Sequence, residues 1–142
     1  MPVPAFTDQA VAAAFAGFPD HLAPQLLAIR RMIFAVAATT PGVGKIAEAL
    51  RWGQPSYLTQ ETGSGSTIRL GIVKADNRSC AMFVHCQSGL TETFKSLYPA
   101  ELTIVGNRSL IFSIDRPLPV AELRHCIGLA LTHHQRKRVA GP

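Results

Sequence analysis

The feature that most constrains the fold is a change of hydrophobic period along the chain. Apolar residues recur at helical spacing over residues 22–36, for example at Leu22, Leu26 and Ile29. From residue 66 the period becomes two, and helical spacing returns after residue 119. A period near 3.6 indicates a helix and a period of two indicates a half-buried strand. The chain is therefore predicted to form an α+β fold, in which N-terminal and C-terminal helices pack on one face of an antiparallel sheet.

Turn residues predict how the strands are joined. Residues 76–78 join the strand at 68–72 to a returning strand at 80–86, and Gly106 and Asn107 close a second hairpin. Residues 51–58 contain Gly53 and Pro55 and are predicted to form two short extended pieces around a turn. Together these pieces predict a sheet of about five to six strands.

The helical segments carry further expectations. Thr7 is expected to cap a short first helix that ends at Gly17. Arg30 and Arg31 are expected on the solvent side of the long second helix. Residues 45–50 are expected to be helical or irregular, and the last helix is predicted to continue into the polar residues 133–138.

Strand alternation assigns each side chain to one face of the sheet. The side chains predicted to face the helices are Ile68, Leu70, Ile72, Met82, Val84, Leu110, Phe112 and Ile114. Those predicted to face away are Arg69, Phe83, His85, Ile111 and Ser113. The register of residues 80–86 stays open by one position because both faces of that strand are apolar.

The amino-acid composition limits the number of domains and the kinds of partner that the chain is expected to have. The 142 residues are 47% hydrophobic, which predicts a single domain over residues 1–142 with a sizeable core. Residues 1–19 are predicted to be a helical extension and residues 136–142 a basic tail. The net charge is +5, and Arg136, Lys137 and Arg138 concentrate positive charge near the C-terminus. Cations there complement a helix dipole, so nucleic acid is not an expected partner.

The cysteines and the apolar stretches indicate the cellular compartment in which the protein is expected. Cys80, Cys86 and Cys126 form an odd set without a C-x-x-C motif, which predicts free thiols in a reducing compartment. Helical phase places Cys126 in the core. No apolar stretch approaches the roughly 20 residues that span a bilayer, and residues 1–6 lack the basic start of a secretory signal. The sequence predicts a cytoplasmic protein without a membrane partner.

Two segments have superficial likeness to chemical motifs. Residues 41–45 resemble part of a phosphate-binding P-loop, but Ile46 stands where that loop needs a hydroxyl residue. His85 and Cys86, with His125 and Cys126, suggest a zinc ligand set. Because neighbours on a strand point to opposite faces, His85 and Cys86 cannot both reach one tetrahedral site without a bulge. No catalytic residue and no metal ligand is assigned.

Residues 46–57 carry a resemblance to a known family. The segment includes Trp52, Gly53, Pro55 and Tyr57 at a spacing similar to that of the YdhG-like family, a bacterial domain family of unknown function with a frataxin-like fold. The resemblance covers roughly residues 20–136 and implies the same α+β architecture. It also implies iron binding and delivery as an alternative function. However, the first two helical segments carry only Asp8 and Asp20 as acidic residues, whereas an iron surface needs several oxygen ligands.

The open face of the sheet is the predicted functional surface. Its candidate ligand-binding residues are Trp52, Tyr57, Arg69, Phe83 and His85. Aromatic rings beside an arginine suit a small anionic or planar ligand, because a guanidinium pairs with carboxylates and stacks on rings. An exposed apolar sheet face equally suits a protein partner or a second copy of the chain. The sequence thus predicts a binding protein rather than an enzyme, with no cofactor assigned.

Overall fold

The order of helices and strands follows the change of hydrophobic period. The computed structural model describes residues 4–140, with side chains as far as Arg138. The helices are α1 (Gln9–Ala16), α2 (Ala23–Thr39), α3 (Leu90–Leu97), α4 (Val120–Leu131) and α5 (His133–Ala140). The strands are β1 (Ala47–Arg51), β2 (Gln54–Leu58), β3 (Ile68–Ile72), β4 (Ser79–Phe83), β5 (Thr103–Val105) and β6 (Ser109–Ser113).

The six described strands form one sheet in the order β1-β2-β3-β4-β6-β5, and all neighbouring strands are antiparallel. This confirms the α+β fold. The β3–β4 register pairs Leu70 with Met82, which resolves the ambiguity left by the apolar residues 80–86. Strand β4 ends at Phe83, and one more backbone hydrogen bond, from Val84 N to Arg108 O, extends its pairing toward β6.

The core lies between the sheet and helices α2 and α4. Its fully buried members include Ile29, Ile33, Leu70, Met82, Leu110, Leu123 and Ile127. The predicted helix-facing positions are confirmed, and Ile72 and Ile114 are partly buried at the margin of the core. Helix α1 belongs to the same core, because Val11 and Phe15 are buried and the helix contacts β1 and β2.

Three local expectations were wrong. Residues 47–51 form strand β1, because pairing with β2 supplies backbone partners that the local pattern did not reveal. The cap of α1 is Asp8 rather than Thr7, since Asp8 Oδ1 accepts from the backbone N–H of Ala10 and Val11. The last helix breaks at Thr132, where the backbone leaves the helical conformation before α5 begins.

Arg30 is buried rather than turned to solvent, with 1% of its surface exposed. Its guanidinium donates to both carboxylate oxygens of Glu48, at 2.6 and 3.0 Å, and to the backbone carbonyl of Pro4 at 2.7 Å. It also lies 4.1 Å from the centroid of the Phe6 ring. These partners offset the cost of removing a charge from water, which the helical pattern alone could not predict.

The predicted basic tail is helical as far as Ala140, and residues 141–142 lie outside the described residues. Arg136 Nη2 donates to the carbonyl of Leu129 at 2.6 Å, near the C-terminal end of α4. A cation thus satisfies a terminal helix carbonyl, as the charge pattern predicted. The helix that it caps is α4, because α4 ends at Leu131 and a new helix begins at His133.

Candidate functional site

Three of the five predicted site residues meet on the open face of the sheet. Trp52, Arg69 and Phe83 line a cleft of about 330 Å³ together with Gln54 and Arg108. We call this the tryptophan cleft. Arg69 and Phe83 are directly paired across β3 and β4, which explains why their side chains share one face. The predicted grouping of an arginine with aromatic rings is therefore present in the structure.

Tyr57 lies on the other face of the sheet. Strand β2 pairs Tyr57 with Ile68, a helix-facing residue, and Tyr57 is fully buried. Its hydroxyl donates to Glu48 Oε2 at 2.8 Å, and its ring packs edge-on against Phe34. Placing Tyr57 on the open face was wrong, because alternation in β2 directs this side chain into the core beneath α2.

Trp52 forms the tip of the β1–β2 hairpin. Its φ of 56° and the φ of 74° at Gly53 put both central residues of the turn in the left-handed region, as a type I′ turn requires. A tryptophan at this position is strained, at about 1–2 kcal/mol. The residue is 88% exposed, so its side chain has few packing contacts that could offset the strain.

Gly71 lies beneath two of the side chains that line the tryptophan cleft. Gly71 on β3 pairs with Ala81 on β4, and a Cβ added at Gly71 would lie 2.9 Å from Gln54 Nε2 and 3.1 Å from Phe83 Cε2. The side chains of Gln54 and Phe83 thus close over Gly71.

His85 lines a second cleft, of about 370 Å³, which we call the histidine cleft. Its basic and titratable residues are Arg69, His85, His133, His134 and Lys137. The remaining lining includes the polar residues Ser66, Thr67 and Ser88. No acidic side chain among the described residues lines either the histidine cleft or the tryptophan cleft. Both clefts therefore favour negatively charged groups.

Arg69 belongs to both clefts and joins them. It is partly buried, and its Nε is shielded from solvent without a hydrogen-bond partner among the described residues. It forms no salt bridge with any described carboxylate. A buried donor left without an acceptor costs about 1–3 kcal/mol. Arg69 is therefore a cation with unused hydrogen-bonding capacity, in contrast to Arg30.

The histidine cleft exists because the β2–β3 loop packs against the break between α4 and α5. Ser64 Oγ donates to the carbonyl of Leu131 at 2.8 Å, and Gln135 N donates to the carbonyl of Ser64 at 2.8 Å. Gly65 permits this contact, since a Cβ there would lie 2.5 Å from Leu131 Cα. The loop and the start of α5 are thereby held together beside Arg69.

Helix α5 presents its first turn to the cleft. His133 and Lys137 are four residues apart and so lie on one side of the helix. Burial, together with the charges of His134, Lys137 and Arg136, lowers the pKa of His133. The sequence pattern indicated only a polar helix end at these residues and did not identify them as site residues. The spacing of His133 and Lys137 was the one local signal that could have indicated a shared face.

His85 is oriented by its neighbour. The backbone N–H of Gln87 donates to His85 Nδ1 at 3.1 Å, so the neutral ring carries its proton on Nε2. His85 can therefore donate a hydrogen bond even when it is uncharged. Ser88 Oγ, by contrast, is engaged: it donates to the carbonyl of His85 at 2.7 Å and accepts from Leu90 N at the start of α3.

Within residues 4–140, no group of three or more His, Cys, Asp or Glu side chains is arranged to hold a metal ion. None of the helices in that range combines the length and apolar character needed to cross a bilayer.

Comparison with protein-family models, with curated proteins and with solved structures gives no match for this chain. The resemblance to the YdhG-like family and to the frataxin-like fold therefore stays a prediction.

Proposed function

We propose that this protein binds a small organic anion in the two adjoining clefts of the open sheet face. The observation that carries the proposal is the position of Arg69, which lines both clefts and forms no salt bridge with any carboxylate of the described residues. An anionic ligand would supply the missing partner charge. The absence of a carboxylate from the described lining leaves this role to the ligand.

The residue types around Arg69 support a ligand with a planar part. Trp52 and Phe83 offer ring surfaces, and Arg69 and Arg108 offer guanidinium groups in the same cleft. Guanidinium groups pair with anions and stack on planar rings. Each cleft is at the lower end of the usual size for small-molecule sites, roughly 300–1,000 Å³. A small molecule suits these concave clefts better than a flat protein surface does.

A binding role rather than a catalytic one forms part of this proposal. The Ser88 hydroxyl, a potential nucleophile beside His85, is held in the loop and cap that precede α3. We also place the protein in the cytoplasm, because three free cysteines suit a reducing compartment.

The first test uses three probes that share one ring: benzoate, phenyl phosphate and uncharged benzyl alcohol. Calorimetry measures affinity, and fluorescence of Trp52, the single tryptophan of the chain, reports occupancy of the tryptophan cleft. We expect saturable binding of at least one anionic probe and none of the alcohol. No binding of either anion would refute the proposal.

Variants assign the binding to Arg69. Arg69→Gln removes the charge from both clefts, and Arg31→Gln removes the same charge from the exposed side of α2 as a matched control. A charge-assisted hydrogen bond contributes about 1.5–3 kcal/mol, so Arg69→Gln should weaken anion binding by roughly 10- to 100-fold. Equal affinity in the two variants would contradict the proposal. Tight stoichiometric ferrous-iron binding that survives Arg69→Gln would instead favour the iron-delivery alternative.

A further inference from the structure

We infer that the anionic group held in the histidine cleft is a phosphate monoester, carried by a small molecule whose planar ring lies in the tryptophan cleft. This inference rests on the proposed function and names the class of its ligand. It follows from the number of donors that line the histidine cleft, the separate elements that supply them and the total charge that they carry.

The donors reach the histidine cleft from three separate parts of the fold. Arg69 comes from β3, His85 from the loop after β4, and His133, His134 and Lys137 from the start of α5. A carboxylate presents two oxygens in one plane. A phosphate monoester presents three terminal oxygens in different directions and carries nearly two negative charges near neutral pH. Donors that converge from three elements match the tetrahedral group.

The charges of the cleft also match a dianion. Arg69 and Lys137 supply two permanent positive charges, and the Nε2–H of His85 donates whether or not the ring is charged. The first turn of α5 adds the positive end of a helix dipole, which favours anions. The independent observation is Arg69 itself, a permanent cation that lines the cleft and pairs with no carboxylate among the described residues.

Arg136 does not compete for this ligand. Its guanidinium donates to the carbonyl of Leu129 and to Thr132 Oγ1, which directs it toward the end of α4. Lys137 is therefore the α5 side chain that lines the cleft with a permanent charge. Arg138, on the same helix, is exposed and does not line the cleft, so it provides a matched control.

The shared position of Arg69 explains why the ligand should carry a ring. The tryptophan cleft and the histidine cleft meet at this residue, so one molecule can place its phosphoryl group on one side of Arg69 and a planar ring on the other. Phenyl phosphate is the smallest probe with both parts. Inorganic phosphate has only the first part, and benzoate pairs the same ring with a planar monoanion.

The test compares four probes at about pH 7.5, where a phosphate monoester is mostly dianionic. They are phenyl phosphate, benzenesulfonate, benzoate and inorganic phosphate. Benzenesulfonate keeps the ring and the tetrahedral oxygens but carries one charge, so it separates geometry from charge. We expect phenyl phosphate to bind at least about tenfold more tightly than each of the other three. We expect only ring-bearing probes to quench Trp52.

Lys137→Gln should reduce the preference for phenyl phosphate over benzoate at least about fivefold and leave the affinity for benzoate nearly unchanged. Arg138→Gln should bind all the probes as the unaltered protein does. Equal affinities for all three ring-bearing anions, lost together in Arg69→Gln, would leave the proposed function intact and overturn the phosphate inference. Equal affinities for inorganic and phenyl phosphate, or equal effects of Lys137→Gln and Arg138→Gln, would also overturn it. Failure of every probe to bind would refute the proposed function itself.

Discussion

Arg30 on α2 and Glu48 on β1 form a two-point ion pair in the interior, with Nε to Oε2 at 2.6 Å and Nη2 to Oε1 at 3.0 Å. The pair ties the longest helix to the edge of the sheet. Tyr57 shares the carboxylate, and burial, followed by the charge of Glu48, raises the pKa of its hydroxyl. The phenol therefore stays protonated and remains a donor to Glu48.

Removing one partner of this pair should destabilise the fold strongly. Arg30→Met leaves the Glu48 carboxylate buried without its cation, so we expect the free energy of unfolding to fall by about 3–5 kcal/mol. Arg31→Met, at the neighbouring exposed position, should change it by less than about 0.5 kcal/mol. Urea unfolding measures both. The double variant Arg30→Met with Glu48→Met should be more stable than Arg30→Met alone, and equal stability of Arg30→Met and Arg31→Met would contradict this role.

Trp52 is expected to oppose stability and support binding. Trp52→Asn places a residue that tolerates positive φ at the hairpin tip, so the free energy of unfolding should rise by about 1 kcal/mol. Binding of ring-bearing anions should weaken at the same time, because the stacking surface is lost. Gly53→Ala, at the next turn position, should be destabilising because its φ is 74°. A loss of stability in Trp52→Asn would show that the exposed ring stabilises the fold.

Gly65 is expected to be essential for the packing of the β2–β3 loop against Leu131, which forms one side of the histidine cleft. Gly65→Ala forces the β2–β3 loop away from Leu131, which should cost about 1–3 kcal/mol and weaken anion binding. Gly128→Ala on α4 meets only Val36 Cγ1, at 3.7 Å, and should stabilise the helix by about 0.5–1 kcal/mol. Thermal unfolding and probe titrations compare the two variants. Normal stability and binding in Gly65→Ala would refute the packing argument.

The three thiols should differ sharply in reactivity. Cys80 and Cys126 are fully buried, and burial raises the pKa of each to about 12. Cys86 is exposed. Because the thiolate is the reactive form, a bulky thiol reagent should modify Cys86 in the native protein and reach the other two only after denaturation. Mass spectrometry of labelled peptides locates the modification, and rapid native labelling at Cys126 would contradict its core position.

The histidine cleft should make stability depend on pH through His133. Its folded pKa lies below the unfolded value, so the unfolded chain binds more protons as pH falls through about 6.5. The free energy of unfolding should therefore decrease with acidification until the folded pKa is passed. His134, Lys137 and Arg136 on α5 oppose its protonation, and Arg69 and His85 line the same cleft from the sheet side.

The free energy of unfolding should be measured between about pH 7.5 and about pH 5.5 for the unaltered protein and for His133→Gln. Carboxylates titrate in both proteins, so the difference between the two profiles is the contribution of His133. The unaltered protein should lose more stability on acidification than the variant. Sulfate, which keeps its charge over this range, should reduce the difference by stabilising the protonated ring. Parallel pH profiles would show that His133 titrates as it does in the unfolded chain.

Local pattern was sufficient to predict the layers of the fold and part of the site. A period of two requires one face of β3 to be apolar, so Leu70 is directed to the core and Arg69 to the opposite face. Gly106 has the positive φ that its hairpin turn was predicted to need, whereas Asn107 does not, because the turn between Val105 and Ser109 has three residues instead of two. These inferences succeeded because each depends on residues within a few positions of one another.

The remaining features depend on partners that are distant in sequence. Arg30 is buried because Pro4 and Glu48 supply acceptors, and no helical pattern reveals them. Tyr57 faces the core because strand pairing sets the phase of β2. The histidine cleft forms where residues 65–69 meet residues 133–137, so only chain packing brings its charges together. Sequence by itself determined which side chains alternate and recur, since that is a local property of backbone geometry. The tertiary structure decided which charges are paired and which, like Arg69, have no paired carboxylate among the described residues, because electrostatic partners are set by distance in space.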